Sequence, residues 1–291
     1  MGMFDTRGVG FVELSKRTFK AFGDDDMSTY AAALAYRALF ALFPFLLFLI
    51  ALLGFLHVPQ FFDWLRTQAA MALPPQAMDQ VNPVIDQLQT QNSGVMSLGV
   101  IVALWTASVG VRSLMNAMNK AYAVDEGRPI WKLYVLSLVY TIGLAIMLLA
   151  AAGLMILGPQ IMEWIANQIG LGSLFVTLWT WLRWPVIVLL LVLAVAVMNY
   201  FMPDVKQEFR FITPGSAVAV LVWIIASIGF GLYVSNFGNY DATYGSIGAI
   251  IILLFYFYIS AAVLLLGVEM NAVIEHASVE GKNLGDKEAI T

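Results

Sequence analysis

Residues 245–274 read GSIGAIIILLFYFYISAAVLLLGVEMNAVI, thirty consecutive positions with a single charge, Glu269. A helix rises 1.5 Å per residue, so about 20 apolar residues cross the roughly 30 Å hydrocarbon layer of a bilayer. Lipid offers no partner to backbone N–H and C=O groups, which leaves the helix as the form such a stretch takes. This one is long enough to tilt or to project beyond the layer. Five stretches of the same kind precede it, at 31–56, 94–118, 134–158, 178–202 and 214–237. The sequence therefore predicts an all-α polytopic membrane protein, a six-transmembrane-helix bundle with amphipathic interfacial helices.

The rest of the composition agrees. Of 291 residues, 60% are hydrophobic and 12% charged, about half the charge of an ordinary soluble domain. A net charge of -4 gives no basic field to gather nucleic acid, so none is expected as a partner. The chain has no Cys, and only His57 and His276 carry imidazole. Disulfides, thiolate chemistry and Cys/His metal sets are thereby excluded, and neither a metal nor a cofactor is expected. Positions 1–30 hold Lys16, Arg17, Lys20 and the run Asp24, Asp25, Asp26, with no apolar core of a cleavable signal, so the amino terminus is expected to be retained.

Lys and Arg mark the side on which each connection lies. Eleven of the fifteen fall before the first stretch (Arg7, Lys16, Arg17, Lys20), after the second (Lys120, Arg128, Lys132), after the fourth (Lys206, Arg210) and in the tail (Lys282, Lys287). The opposite connections hold only Arg66 and, at the edge of the fourth stretch, Arg183. Five Trp gather on that opposite face, at 64, 164, 179, 181 and 184, where amphipathic rings settle at the interface. Both termini are thus expected in the cytoplasm. The division expected is a cytoplasmic segment at 1–30 with an amphipathic helix, a transmembrane domain at 31–274 and a polar tail at 275–291.

Connections this short do not fold alone, but some carry helical spacing. Phe11, Val12, Leu14, Phe19 and Phe22 interleave with Lys16, Arg17 and Lys20. Phe61, Phe62, Trp64 and Leu65, then Met78, Val81, Ile85 and Leu88, flank Pro74 and Pro75. Ile161, Met162, Trp164, Ile165 and Ile169 suggest one more surface helix.

Three ionisable residues fall inside the predicted spans: Arg37, Arg112 and Glu269. Each costs about 2.5 to 3.5 kcal/mol at a bilayer centre on insertion scales, so such residues face a bundle interior or a wet cavity. Counted from the helix ends, all three lie within roughly 10 Å of the cytoplasmic edge. One reading pairs Glu269 with Arg37 or Arg112 beneath a cytoplasm-facing cavity, with Asn116, Asn119 and Asn271 adding donors and acceptors. The other lets both arginines snorkel to lipid phosphates while Glu269 is capped locally. The acidic run 24–26, followed by Ser28 and Thr29, reads first as a helix start whose acceptors meet free N–H groups. Pro44 predicts a bend in the first span. Small residues in the second, fifth and sixth spans, among them Gly215, Ala219, Gly245 and Gly248, permit close helix packing. H-E-x-x-H, a phosphate-binding lysine loop and a complete G-x-S-x-G elbow are absent, and no enzyme activity is expected.

These residues fall in an order that resembles the YihY/BrkB family of bacterial inner-membrane proteins. The resemblance runs over residues 20–275. It is carried by Ala31-Ala-Ala-Leu-Ala-Tyr36 with Leu39-Phe40 and Pro44, then Arg128 with Trp131, Pro203, Pro214-Gly215, Tyr233, Tyr244-Gly-Ser-Ile-Gly248, and Leu266-Gly267 with Glu269 and Asn271. Arg37 departs from the family, which often has an aromatic there, as do Ala41 for Ser and Tyr256 for a nearby Trp. Arg112 is therefore the better partner candidate.

The resemblance implies an envelope protein of undefined activity, associated with virulence or serum resistance and linked to movement of lipid or lipopolysaccharide precursors. It also implies an old ribonuclease BN label, which the scattered acidic residues and short connections argue against. Two functional expectations follow. A transporter or flippase for an amphipathic envelope molecule calls for a polar-lined cavity, with Arg112 near a substrate phosphate and membrane lipids or a lipid-like substrate as partners. A non-transporting scaffold calls for a filled core and an apolar patch for homo-oligomerisation.

Overall fold

The computed structural model describes residues 10–55, 66–67, 82–83, 86, 93–156, 173–207, 212–236, 240–277 and 286–287. Among the described residues seven helices follow one another: α1 (Phe11–Asp24), α2 (Met27–Phe55), α3 (Ser93–Ala121), α4 (Ile130–Ile156), α5 (Ser173–Phe201), α6 (Pro214–Asn236) and α7 (Tyr240–Ala277). No strand occurs among the described residues. The surface helix expected near Ile161 and most of those expected between 57 and 92 lie outside them.

Among the described residues, five helices are long and apolar enough to cross a membrane, over Val100–Ala121, Ile130–Leu148, Thr177–Phe201, Pro214–Ser235 and Ile250–Ala277. They match the last five expected stretches. The first stretch corresponds to α2, a helix of 29 residues with Pro44 inside it. Pro185 lies in the interior of α5. The helix begins at Ser173, so its apolar run opens well before the proline.

The chain divides into two compact units, Arg37–Gly110 and Met1–Tyr36 with Val111–Thr291. In the first, Arg37 Nη1 donates to the Val109 carbonyl at 2.9 Å, and Arg66 pairs with Asp86. In the second, α7 is the post on which α1 and α6 pack, α5 packs on α6, and α4 on α5. Met27, Met115, Met118, Met202 and Leu265 are fully buried in its core. Met fills irregular gaps between helices well. Of the apolar face of α1, Leu14 is buried and Phe22 packs on that core, but Val12 and Phe19 stay 69% and 66% exposed.

The α6–α7 contact has the closest backbone approach. A Cβ on Gly215 would run into the Gly267 carbonyl and the Asn271 side chain, and one on Gly267 would lie 2.6 Å from the Ala219 Cβ and the Gly215 carbonyl. Two side-chain hydrogen bonds extend the seam: Trp223 Nε1 donates to Ser260 Oγ at 3.0 Å, and Ser227 Oγ meets the Tyr256 hydroxyl at 3.1 Å. Lipid tails are as apolar as Leu, so close packing and such polar contacts hold helices together in place of hydrophobic burial.

Gly143 in α4 is a built-in control, because an added Cβ there meets nothing within 4 Å. Gly267→Ala should lower stability by about 1 to 3 kcal/mol through overpacking, whereas Gly143→Ala should be neutral or gain up to about 1 kcal/mol of helix propensity. Thermal unfolding of the detergent-purified variants separates the two cases, and equal midpoints would contradict the close-packed seam.

Candidate functional site

The residues singled out from the sequence separate into distinct settings. Arg37 belongs to the Arg37–Gly110 unit, where it bonds to the Val109 carbonyl. Arg112, on the last turns of α3, turns toward α4. Its Nη1 donates to Ser137 Oγ at 2.9 Å, and its guanidinium lies over the Tyr134 ring with 4.2 Å to the centroid. Ser137 Oγ in turn donates to the Tyr134 carbonyl at 2.8 Å. A planar guanidinium suits both contacts, one through its edge and one through its face.

Glu269 on α7 is 1% exposed, and its Oε1 accepts no hydrogen bond. No ion pair joins it to Arg112 among the described residues. The charges that act on it are Asp25, where α1 meets α2, and Lys120, at the end of α3. Those two pair with each other at 3.2 Å. The acidic run thus sits at the α1–α2 junction. Asp24 pairs with Lys20, Asp25 caps α1, and Asp26 adopts φ 53° just before α2 begins. A short polar side chain tolerates that left-handed conformation better than most.

The asparagines divide as well. Asn116 is exposed. Asn271 is buried and works as a cap: its Oδ1 accepts from Gly215 N at 2.9 Å and its Nδ2 donates to Thr213 Oγ1 at 3.0 Å. Pro214 opens α6, so the Gly215 N–H is one of the orphan donors of a helix start. Two residues farther along α7, Asn271 finds two partners, while the Glu269 carboxyl finds none for Oε1 among the described residues. Tyr36 is 58% exposed on α2, and Gly248 is buried.

Asn119 joins a polar knot that the sequence reading did not assemble. Its Oδ1 accepts from Asp204 N at 2.7 Å and its Nδ2 donates to Glu126 Oε2 at 3.1 Å. Arg128 donates from Nε to Glu126 Oε1 and from Nη2 to Glu126 Oε2, both at 2.7 Å, and from Nη2 to the Met202 carbonyl at 3.0 Å. Asp204 accepts from Gly127 N at 2.9 Å and pairs with Lys287 of the tail, whose carbonyl accepts from Lys206 N at 2.8 Å. The signal available was modest: Glu126-Gly127-Arg128-Pro129 lies in the connection between α3 and α4, and Asp204 follows Pro203 in the connection between α5 and α6. Asn199 was missed too. It is 2% exposed on α5, and neither its Oδ1 nor its Nδ2 has a partner.

Burial alone would raise the Glu126 carboxyl, but hydrogen bonds from the Arg128 side chain and backbone outweigh it and hold the group below its ordinary range. At Asp204 burial is likewise outweighed, here by Lys287 and the Gly127 N–H. Arg128 is held above its usual value by Glu126 against the effect of burial. Carboxylates lowered in the folded state contribute stability that is complete above their unfolded values, near pH 4, and is lost as pH falls through the folded ones.

A cavity of about 340 Å³ opens between α2 and α7. Ala32, Ala35 and Tyr36 form one wall, and Ile251, Leu254, Phe255 and Tyr258 the other. Its lining is hydrocarbon and aromatic ring, which differs from the polar-lined cavity expected of a transporter.

Arg128→Met should therefore cost on the order of 2 kcal/mol or more, because it leaves Glu126 and Asp204 without their shared cation. Its acid limb should also flatten. Unfolding of wild type and variant from neutral to strongly acidic pH measures both effects, and an unchanged acid limb would contradict the assignment.

Residues 18–291 match the family of Virulence factor BrkB. YfkH of Bacillus subtilis, a protein called ribonuclease-like, is 36% identical over 260 residues, covering 89% of this chain and 94% of YfkH. A UPF0761 membrane protein of Rhodospirillum centenum is 28% identical over 255 residues, 87% of this chain but 55% of its own length. Another, from Tolumonas auensis, is 27% identical over 282 residues, 90% of this chain and 86% of its own. No solved structure matches the chain. With five membrane-length helices and the motif order read from the residues, the family match makes this a membrane protein that belongs to the BrkB virulence-factor family.

Proposed function

We propose that the chain handles an amphipathic envelope lipid, moving or flipping it, with an acyl chain lodged in the groove between α2 and α7. The observation that carries this reading is the lining of that groove, which is apolar except for the Tyr36 and Tyr258 hydroxyls and opens beside residues 250–258 of a membrane-length helix. A groove of that chemistry at that depth is solvated by lipid tails. Arg112 is the headgroup candidate: guanidinium recognises phosphate through paired donors, and its Ser137 and Tyr134 contacts hold its plane fixed. In this reading α2 is a sixth span and both termini lie in the cytoplasm of a bacterial inner membrane.

A scaffold that binds envelope partners without transport is the second reading. It is favoured by the filled methionine core, which leaves no polar passage beside α7 among the described residues. Homo-oligomerisation belongs with it. A nuclease reading is not adopted. The ribonuclease-like description of YfkH calls for a metal-holding acidic set, and no group of three or more His, Asp or Glu residues suited to a metal occurs among the described residues.

Reconstituted vesicles with a fluorescent phospholipid distinguish the two readings. Ala35→Trp, which fills the groove, and Arg112→Ala should each reduce lipid movement by about tenfold, the effect of roughly 1.4 kcal/mol on a barrier. Wild-type vesicles no faster than protein-free ones would leave the scaffold reading.

A further inference from the structure

Helix α1 carries two apolar faces, and the bundle covers one of them. At about 100° per residue, Leu14, Thr18 and Phe22 share a side: Leu14 and Thr18 are buried, and Phe22 packs on the methionine core. Thr18 Oγ1 donates to the Leu14 carbonyl at 3.0 Å, so its hydroxyl is satisfied within the helix. Val12 and Phe19, seven positions apart and so within about 20° of each other, form a second apolar strip, which stays exposed. Lys16 lies about 40° from Val12 along the edge of that strip, exposed and without an acidic partner among the described residues. The other charges of α1 are matched within the helix, Arg17 with Glu13 at 2.9 Å and Lys20 with Asp24 at 2.6 Å. The helix is left with one free positive charge, and it stands beside the strip.

The end of α3 fixes the depth of this helix. Asp25, the C-cap of α1, pairs at 3.2 Å with Lys120, next to the end of the membrane-length stretch Val100–Ala121. Phe22 packs on a core that includes Met118, Ala121 and Tyr122 at the same end of α3. Beyond it, α4 opens with Ile130 and Trp131 exposed, the belt position that an indole takes at a membrane surface. The carboxyl-terminal half of α1 is therefore held where hydrocarbon gives way to headgroups. At that level an exposed Val and Phe meet the upper acyl chains, and a lysine beside them reaches the phosphates on its flexible stem.

We propose that the Val12–Phe19 strip of α1, with Lys16 at its edge, is a binding surface for anionic phospholipid: the two apolar side chains enter the lipid layer, and the Lys16 ammonium pairs with the headgroup of a lipid of net negative charge. A free ammonium at the surface favours such lipids over zwitterionic ones. The other flank of the helix, where Arg17 points about 160° away from Phe19, stays in water with its Glu13 partner. This surface lies outside the groove between α2 and α7 and does not depend on lipid movement.

The chain has no Cys, so one fluorophore can be placed at Phe19→Cys or, on the other flank, at Arg17→Cys; both positions are exposed, and neither substitution opens the core. The full chain is held at one copy per nanodisc, in phosphatidylcholine alone or mixed with phosphatidylglycerol, with spin-labelled lipid that quenches at the top of the acyl region. The expected result is quenching at position 19 and little at position 17, stronger with phosphatidylglycerol and weakened by salt. Lys16→Gln, added to the Phe19→Cys chain, should cut the gain due to phosphatidylglycerol by about fivefold. Equal quenching at the two positions, or quenching at 19 that ignores phosphatidylglycerol, overturns the proposal. So does shielding of position 19 that arises only with two copies per disc, which would assign the strip to a second chain.

Discussion

Asn271 fastens the first turn of α6 to α7, and most of the larger unit is arranged around that clamp. A helix that starts within a packed membrane bundle has N–H groups with no water to turn to. Asn271 answers one of them at Gly215 and steadies Thr213 beside it. The bonds require α6 to lie directly on α7, and Gly215 and Gly267 make that approach possible by having no side chains. Once α6 is fixed there, α5 can pack on α6 and α4 on α5. α7 is left as the common support, bearing α1 on another side, one wall of the apolar groove, and Glu269.

The polar groups of the larger unit fall into two economies. Where α3 and α5 end, carboxylates, guanidinium, ammonium and amide are gathered in one network, partly wet, in which each charge meets an opposite one. Inside the bundle two polar side chains stand outside the bonded pairs. Asn199 has neither donor nor acceptor satisfied, and Glu269 lacks a partner for Oε1. The first pattern secures helix ends at modest cost, because water remains available. The second leaves buried groups whose enclosure carries a penalty of about 1 to 3 kcal/mol each, and natural proteins retain such groups where they serve something other than rigidity.

Much of the fold was legible because its physics is one-dimensional. Hydrocarbon thickness sets a length, and 214–237 and 245–274 can be read against it residue by residue; the helices observed there begin and end within a few positions of those limits. The small residues of α6 and α7 were legible as packing surface for the same reason. The partners of Arg112 and Asn119 were not. Depth below the membrane edge places Arg37, Arg112 and Glu269 in one band but says nothing of azimuth, and azimuth decides that Arg112 faces Ser137 on α4 and that Arg37 faces the Val109 carbonyl. Asn119 looked like a site residue because it is polar near a span end; it proved to be a tie between two connections, the kind of pairing that arises from residues 85 positions apart, as with Asp204. Arg128 gave the opposite error, since one basic residue in a connection counts toward orientation and conceals a specific bonding role.

The contact made by Lys287 has a temporal meaning. It joins a residue near the carboxyl terminus to the loop after α5 and lies against Gly127, after α3, so three segments remote in sequence must already be side by side before it can form. Loop closure over such separations is entropically slow, and contacts of this kind are made late. The Lys287 contact therefore records that the loops after α3 and α5 have met. In a cell, a molecule whose helices have inserted but not assembled would lack this tie between Lys287 and Asp204.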